Sequence, residues 1–171
     1  MAINISITID DVIEAFGDFL TPYVDGAEIV RSQGNRVAMP PPPCILINEI
    51  LNVDIETPSI SYTNGMDDSS AAIASPKRID LQVDFYGANA GDLCAIVKGV
   101  YRTEYATLAF PDGIKPLYCS DGNQHPLITG EEQYLNRWTL TASLQYNPVV
   151  TVVQESATEL DATTNVPVDL T

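Results

Sequence analysis

The sequence predicts an α+β fold: a mostly antiparallel β-sheet with two α-helices packed on one face, a long hairpin-like excursion and an extended C-terminal tail. Three observations lead there. Two segments carry apolar residues at the three-and-four spacing of a helix face, and two others alternate between an apolar and a polar face. The helical segments do not alternate regularly with the strands, as a parallel α/β sheet would require. Strands with one polar face also fit antiparallel pairing better than parallel strands buried on both sides.

The first helix is predicted over 9–21. Ile9, Val12, Ile13, Phe16, Phe19 and Leu20 share a face, Thr8 is placed to cap, and Asp10 and Asp11 sit where the helix dipole favours negative charge. Pro22 and Gly26 end it. Segment 28–43 reads as an arm over the surface: a short strand Glu28–Arg31, a turn-rich stretch, then Pro40 to Pro43, which favour stiff polyproline II. Cys44 to Ile55 reads as a strand with Ile45, Ile47, Leu51, Val53 and Ile55 on one face. Residues 56–76 are small and polar, with Asn64-Gly65 as a hairpin-tip signal; they read as a disordered loop or a two-stranded excursion.

Lys77 to Tyr86 is the clearest strand, with Ile79, Leu81, Val83 and Phe85 opposite Arg78, Asp80, Gln82 and Asp84. Asn89 is placed to cap a second helix over 90–106. A short strand is expected at Ile114–Cys119, a loop at 120–130, and a last strong strand at Gln133–Tyr146 with Trp138 on its core side. Residues 1–153 then form one domain, and 154–171, acidic and poor in apolar residues, a tail.

The chain has 171 residues, a net charge of −15 and 45% hydrophobic residues, enough for one packed core. Its acidity argues against general nucleic-acid binding and against anionic lipid, both of which call for basic surface. Cys44, Cys94 and Cys119 are odd in number and widely spaced, which predicts buried thiols in a reducing compartment rather than disulfides or zinc. The N-terminus lacks the basic and apolar regions of a signal peptide, and no stretch is apolar enough to span a membrane.

No catalytic residue, metal ligand set or cofactor motif stands out. His125 is the single histidine and has no partner at fixed spacing. Asp67-Asp68 lacks the rest of a calcium loop, and Asp54, Asp80 and Asp84 read as a solvated or subunit-facing stripe. Phosphate-binding, zinc-protease and nucleophile-elbow motifs are missing. The expectation is therefore that the chain is not an enzyme. An arm, an excursion and a tail on one modest domain instead suggest an assembly protein, whose loose segments gain order from neighbours.

Several stretches carry a resemblance. They are Gln33–Val37 with Met39-Pro40, Asp80–Gly87, Pro116–Asp121, Pro126–Ile128, Gly130-Glu131, Gln133-Tyr134, Arg137-Trp138, Leu144–Pro148 and Val150–Val152. In number and order, over about residues 9 to 153, they resemble the neck or tail terminator (tail-completion, head–tail joining) proteins of tailed bacteriophages and prophages. The excursion 56–76 and the final tail have no residue-by-residue match. The resemblance implies an α+β structural protein of the virion, assembled in the host bacterial cytoplasm. It implies a homo-oligomeric ring, usually a hexamer, at the head-proximal end of the tail. Such a ring caps the tail tube protein, joins the head-side connector or adaptor, and lets DNA pass through its lumen.

On that reading, an acidic or neutral bore would repel phosphates weakly and let DNA slide. The candidate subunit-interface residues are Arg36 and Pro40 on the arm, Asn64 and Asp67 on the excursion, Arg137 on the polar face of its strand, and Tyr146, Asn147, Pro148 and Thr151 where the chain leads toward the tail. For Arg36 a local turn contact is an equal alternative. Competing readings are another tail component (a tube or minor tail protein) and a small-molecule binding domain.

Overall fold

The computed structural model describes residues 3–32, 38–63, 65, 69–125, 127–128 and 134–154. In chain order the elements are β1 (Ile3–Ile5), α1 (Ile9–Leu20), β2 (Glu28–Arg31), β3 (Cys44–Asp54), β4 (Ser59–Thr63), β5 (Ser70–Ala74) and β6 (Lys77–Tyr86). There follow α2 (Ala90–Tyr101), α3 (Glu104–Ala109), β7 (Ile114–Cys119), β8 (Asn123–Gln124), β9 (Leu127–Ile128), β10 (Tyr134–Leu135), β11 (Arg137–Tyr146) and β12 (Val149–Val153). This is the predicted α+β class.

The larger sheet runs β2-β3-β6-β11-β7, with β8 also on β11, and is antiparallel except for the β2–β3 pair. Its inner face carries Ile45 and Ile47, Ile79 to Phe85 at alternate positions, and Leu140, Ala142 and Leu144. The helices cover that face. Thr8 and Asp11 form a reciprocal capping box at the start of α1, Asp11 N–H donating to Thr8 Oγ1 at 3.2 Å and Thr8 N–H to Asp11 Oδ2 at 2.7 Å. Phe16 and Phe19 of α1 meet Tyr101 of α2 and Phe110 in a four-ring cluster with centroids 5.2–6.4 Å apart. The Tyr101 hydroxyl donates to Ser143 O at 2.8 Å, so its burial leaves no orphan polar group.

Several expectations need correcting. The strand expected over Gln133–Tyr146 is broken at Asn136, β10 pairing with β9 apart from β11, and the loop expected at 120–130 carries β8 and β9. The helix predicted over 90–106 is two helices, because Thr103 turns back to the Val100 carbonyl through both its N–H (3.0 Å) and its hydroxyl (2.7 Å). Asn89 occupies the cap position of α2, but its side chain makes no capping bond. The Pro40–Pro43 run does not continue as an extended rod; it bends at Pro42 and Pro43. The apolar face read along 44–55 is broken by a bulge between Glu49 and Leu51. Beyond the bulge Asn52 stands opposite Ile79 on the inner side and exchanges hydrogen bonds with the Tyr146 hydroxyl (2.9 and 3.2 Å), while Leu51 and Val53 turn to the outer face.

The excursion resolves into the two-stranded alternative. Strands β4 and β5 pair with each other, and β5 pairs with β12, which pairs with β1, in a second sheet ordered β1-β12-β5-β4.

Candidate assembly surface

The second sheet is an outgrowth of the first. The β6–β11 ladder ends on Lys77 opposite Tyr146, and the β5–β12 ladder begins on Ala74 opposite Val149. Two residues intervene on each side, so the register passes across unchanged. They include Pro76 and Pro148, which have no N–H to give a ladder. Pro58 lies in the matching gap between β3 and β4. The gap is still stitched: Ser75 N–H donates to Pro148 O at 3.1 Å and Ile55 N–H to Pro76 O at 3.0 Å. Three long stretches of chain thus run from the packed sheet through a proline-marked joint into an arm, and β1 completes it.

The register gives the arm two unlike faces. Residues directly opposite in a ladder share a side. One side shows the rows Ile5–Val150–Ile73–Ile60 and Ile3–Val152–Ala71–Tyr62. The other shows Asn4–Thr151–Ala72–Ser61, Val149–Ala74–Ser59 and Val153–Ser70–Thr63, more polar than the first although Val153 is 50% exposed there. On the apolar side Ile3, Ile5, Ile60 and Tyr62 are 68%, 46%, 53% and 62% exposed. No residue in the four strands is charged, in a chain of net charge −15.

The named candidates fall in several places. Arg36, Asn64 and Asp67 lie outside the described residues. Pro40 is half-buried, and its carbonyl receives the Cys44 thiol at 3.5 Å. Arg137 is turned onto Asp84 of its own chain and over the Tyr86 ring. Tyr146 is a core residue, 3% exposed, and Pro148 is buried at the joint. Asn147 is exposed and bonds its N–H to Gly113 O at 2.9 Å. Thr151 is exposed on the polar side of the arm, laddered between Asn4 and Ala72. The residues missed were Ile3, Ile5, Ile60, Tyr62 and Ile73. The signal for Ile3, Ile5, Ile60 and Tyr62 was present as uncharged alternation in INI and SISYT; Ile73, within SAAIA, has none.

Among the described residues no group of three His, Cys, Asp or Glu side chains is arranged to hold a metal ion. No described helix is long and apolar enough to cross a membrane. A surface cleft of about 500 Å³ between α1 and α3 is lined by Asp11, Glu14, Asp18, Leu108 and Phe110. Its polar lining is the carboxylates of Asp11, Glu14 and Asp18.

The described structure is a packed α+β body carrying a β-arm whose strands hold no charge. The model of the phage neck terminator protein family matches residues 10–169, and the chain belongs to that family. It is a structural component of the phage neck and tail. Comparison with curated proteins gives no match.

Proposed function

We propose that this protein assembles with copies of itself into a ring, of six by family resemblance, at the head-proximal end of the tail. There it caps the tail tube and joins it to the head-side connector, with DNA passing through the lumen. The observation that carries this reading is the family match over nearly the whole chain. The charge-free strands of the arm support it, since copies that each carry −15 need some contact low in like-charge repulsion. The acidic surface fits a passage that does not hold DNA, because each phosphate contact by a basic residue would release a counterion and favour retention.

Electron microscopy and native mass measurement of the purified protein, alone and with tube protein, test it. The expected result is one closed ring that halts tube growth. Long filaments of this chain would make it a tube subunit instead, and a monomer at every concentration that is also missing from virion necks would end the reading.

A further inference from the structure

We infer that the apolar face of the β-arm is the surface by which one copy of this chain holds the next; the inference rests on the ring reading above and names the contact inside it. The size of the face is the first argument. Ile3, Ile5, Ile60 and Tyr62, 46–68% exposed, leave on the order of a few hundred Å² of apolar surface open. That is comparable to the largest patch of a lone soluble chain, roughly 300–600 Å² and often functional, and a substantial part of the roughly 800 Å² that each partner gives to a standard interface.

The charge pattern selects the partner. The strands of the arm are free of charge, with Asp67 and Asp68 standing in the sequence between β4 and β5, while the other described residues carry a net negative charge. A basic partner would be met by carboxylates. A second copy brings the same acidity, and its approach is least opposed where this chain carries none.

The edges agree. On the larger sheet, the free side of β7 is guarded by Lys115, Pro116 and a register shift opposite Ser143 and Leu144. On the arm, β4 is an edge strand without proline, charge or bulge. A chain that protects one edge and leaves another open is built to have the open region covered.

The test compares Ile60→Asp with Ser61→Asp in the full-length protein. These positions are neighbours on β4 and face opposite sides of the arm. Both are checked for a cooperative thermal transition. We expect Ile60→Asp to give monomer by native mass at a concentration where the wild type is assembled, and Ser61→Asp to stay assembled. As a second readout, Tyr62→Cys is expected to react with a maleimide at least tenfold more slowly when assembled than when diluted to monomer; the three native thiols are buried and silent. If both aspartates leave the assembly intact, or the thiol reacts equally in both states, the arm is not the contact while the ring reading stands. If both aspartates abolish assembly equally, the contact is not this face. If removing residues 155–171 is what exposes the thiol, with mass unchanged, the chain's own terminus covers the face and the inference fails. A wild type that is monomeric throughout overturns the ring and the contact together.

Discussion

Asp84 on β6 and Arg137 on β11 form a two-pronged pair: Nη2 donates to Oδ2 at 2.9 Å and Nε to Oδ1 at 3.2 Å. Gln82 Nε2 and the Thr139 hydroxyl complete the carboxylate's shell. The Asp84 side chain is 9% exposed and the Arg137 side chain 26%, so the two partners are not equally dependent on each other. Arg137→Ala strands a buried carboxylate and should destabilise the fold by about 2–3 kcal/mol. Asp84→Asn should cost less, because the guanidinium reaches water when its partner is lost. Thermal unfolding reads the order, with Arg137→Ala lowering Tm by about 5–10 °C. Equal losses would mean that Asp84 is better hydrated than its burial indicates.

The loop after β7 is held by a glycine in close contact with the core. A Cβ built on Gly122 would lie 2.5 Å from Cys94 Sγ and 3.5 Å from the Trp138 ring. Gly122→Ala is therefore expected to destabilise by about 1–3 kcal/mol through overpacking. Cys94→Ala vacates the space, so the double variant should recover stability relative to the sum of the singles, with a coupling of about 1 kcal/mol or more. Additive denaturation midpoints would show that the loop yields instead of the sulfur.

All three cysteines should be unreactive in the folded protein. Burial pushes each thiol up, that of Cys94 to about 11, where Cys119 also raises it and Lys98 opposes. The thiolate is the reactive form, so a thiol reagent at pH 8 should titrate none of them in the native state and all of them in guanidinium. A fast-reacting thiol in the native protein would place one of them at the surface.

Much of the body was legible in the sequence because each of its elements has a local cause. The alternation of 77–86 returns residue for residue as β6, and Thr8 with Asp11 marks the start of α1 in the sequence itself. The arm was not legible as a sheet because its strands are short and none is stable alone. It exists because β5 and β12 inherit the register of β6 and β11 across Pro76 and Pro148. Prolines at those positions look like strand ends in one dimension, and only the pairing shows them to be a joint. The bulge at Ile50 misled for a related reason: one extra residue exchanges the two faces, and nothing in 44–55 but Glu49 among apolar neighbours signals it.

The start of α1 makes an acid-dependent prediction. Hydrogen bonds from the Thr8 backbone N–H and hydroxyl hold the Asp11 carboxyl below the usual carboxylate range, against a small opposing effect of burial. Since the folded value is depressed, the box contributes stability that is fully present above the unfolded pKa of about 3.9 and is lost as pH falls through the folded value. Thr8→Ala removes the hydroxyl and should cost about 1 kcal/mol at pH 7, as loss of an N-cap commonly does. As pH falls through the folded value the wild-type carboxyl takes up its proton and the cap weakens, so the gap between wild type and variant should shrink. Comparing the two at each pH cancels the general effect of neutralising the other acids, which changes both proteins alike. Urea midpoints measured at pH 7, 4 and 2 read the gap directly. A gap that stays constant down to pH 2 would mean that Thr8 caps the helix without help from the charge on Asp11.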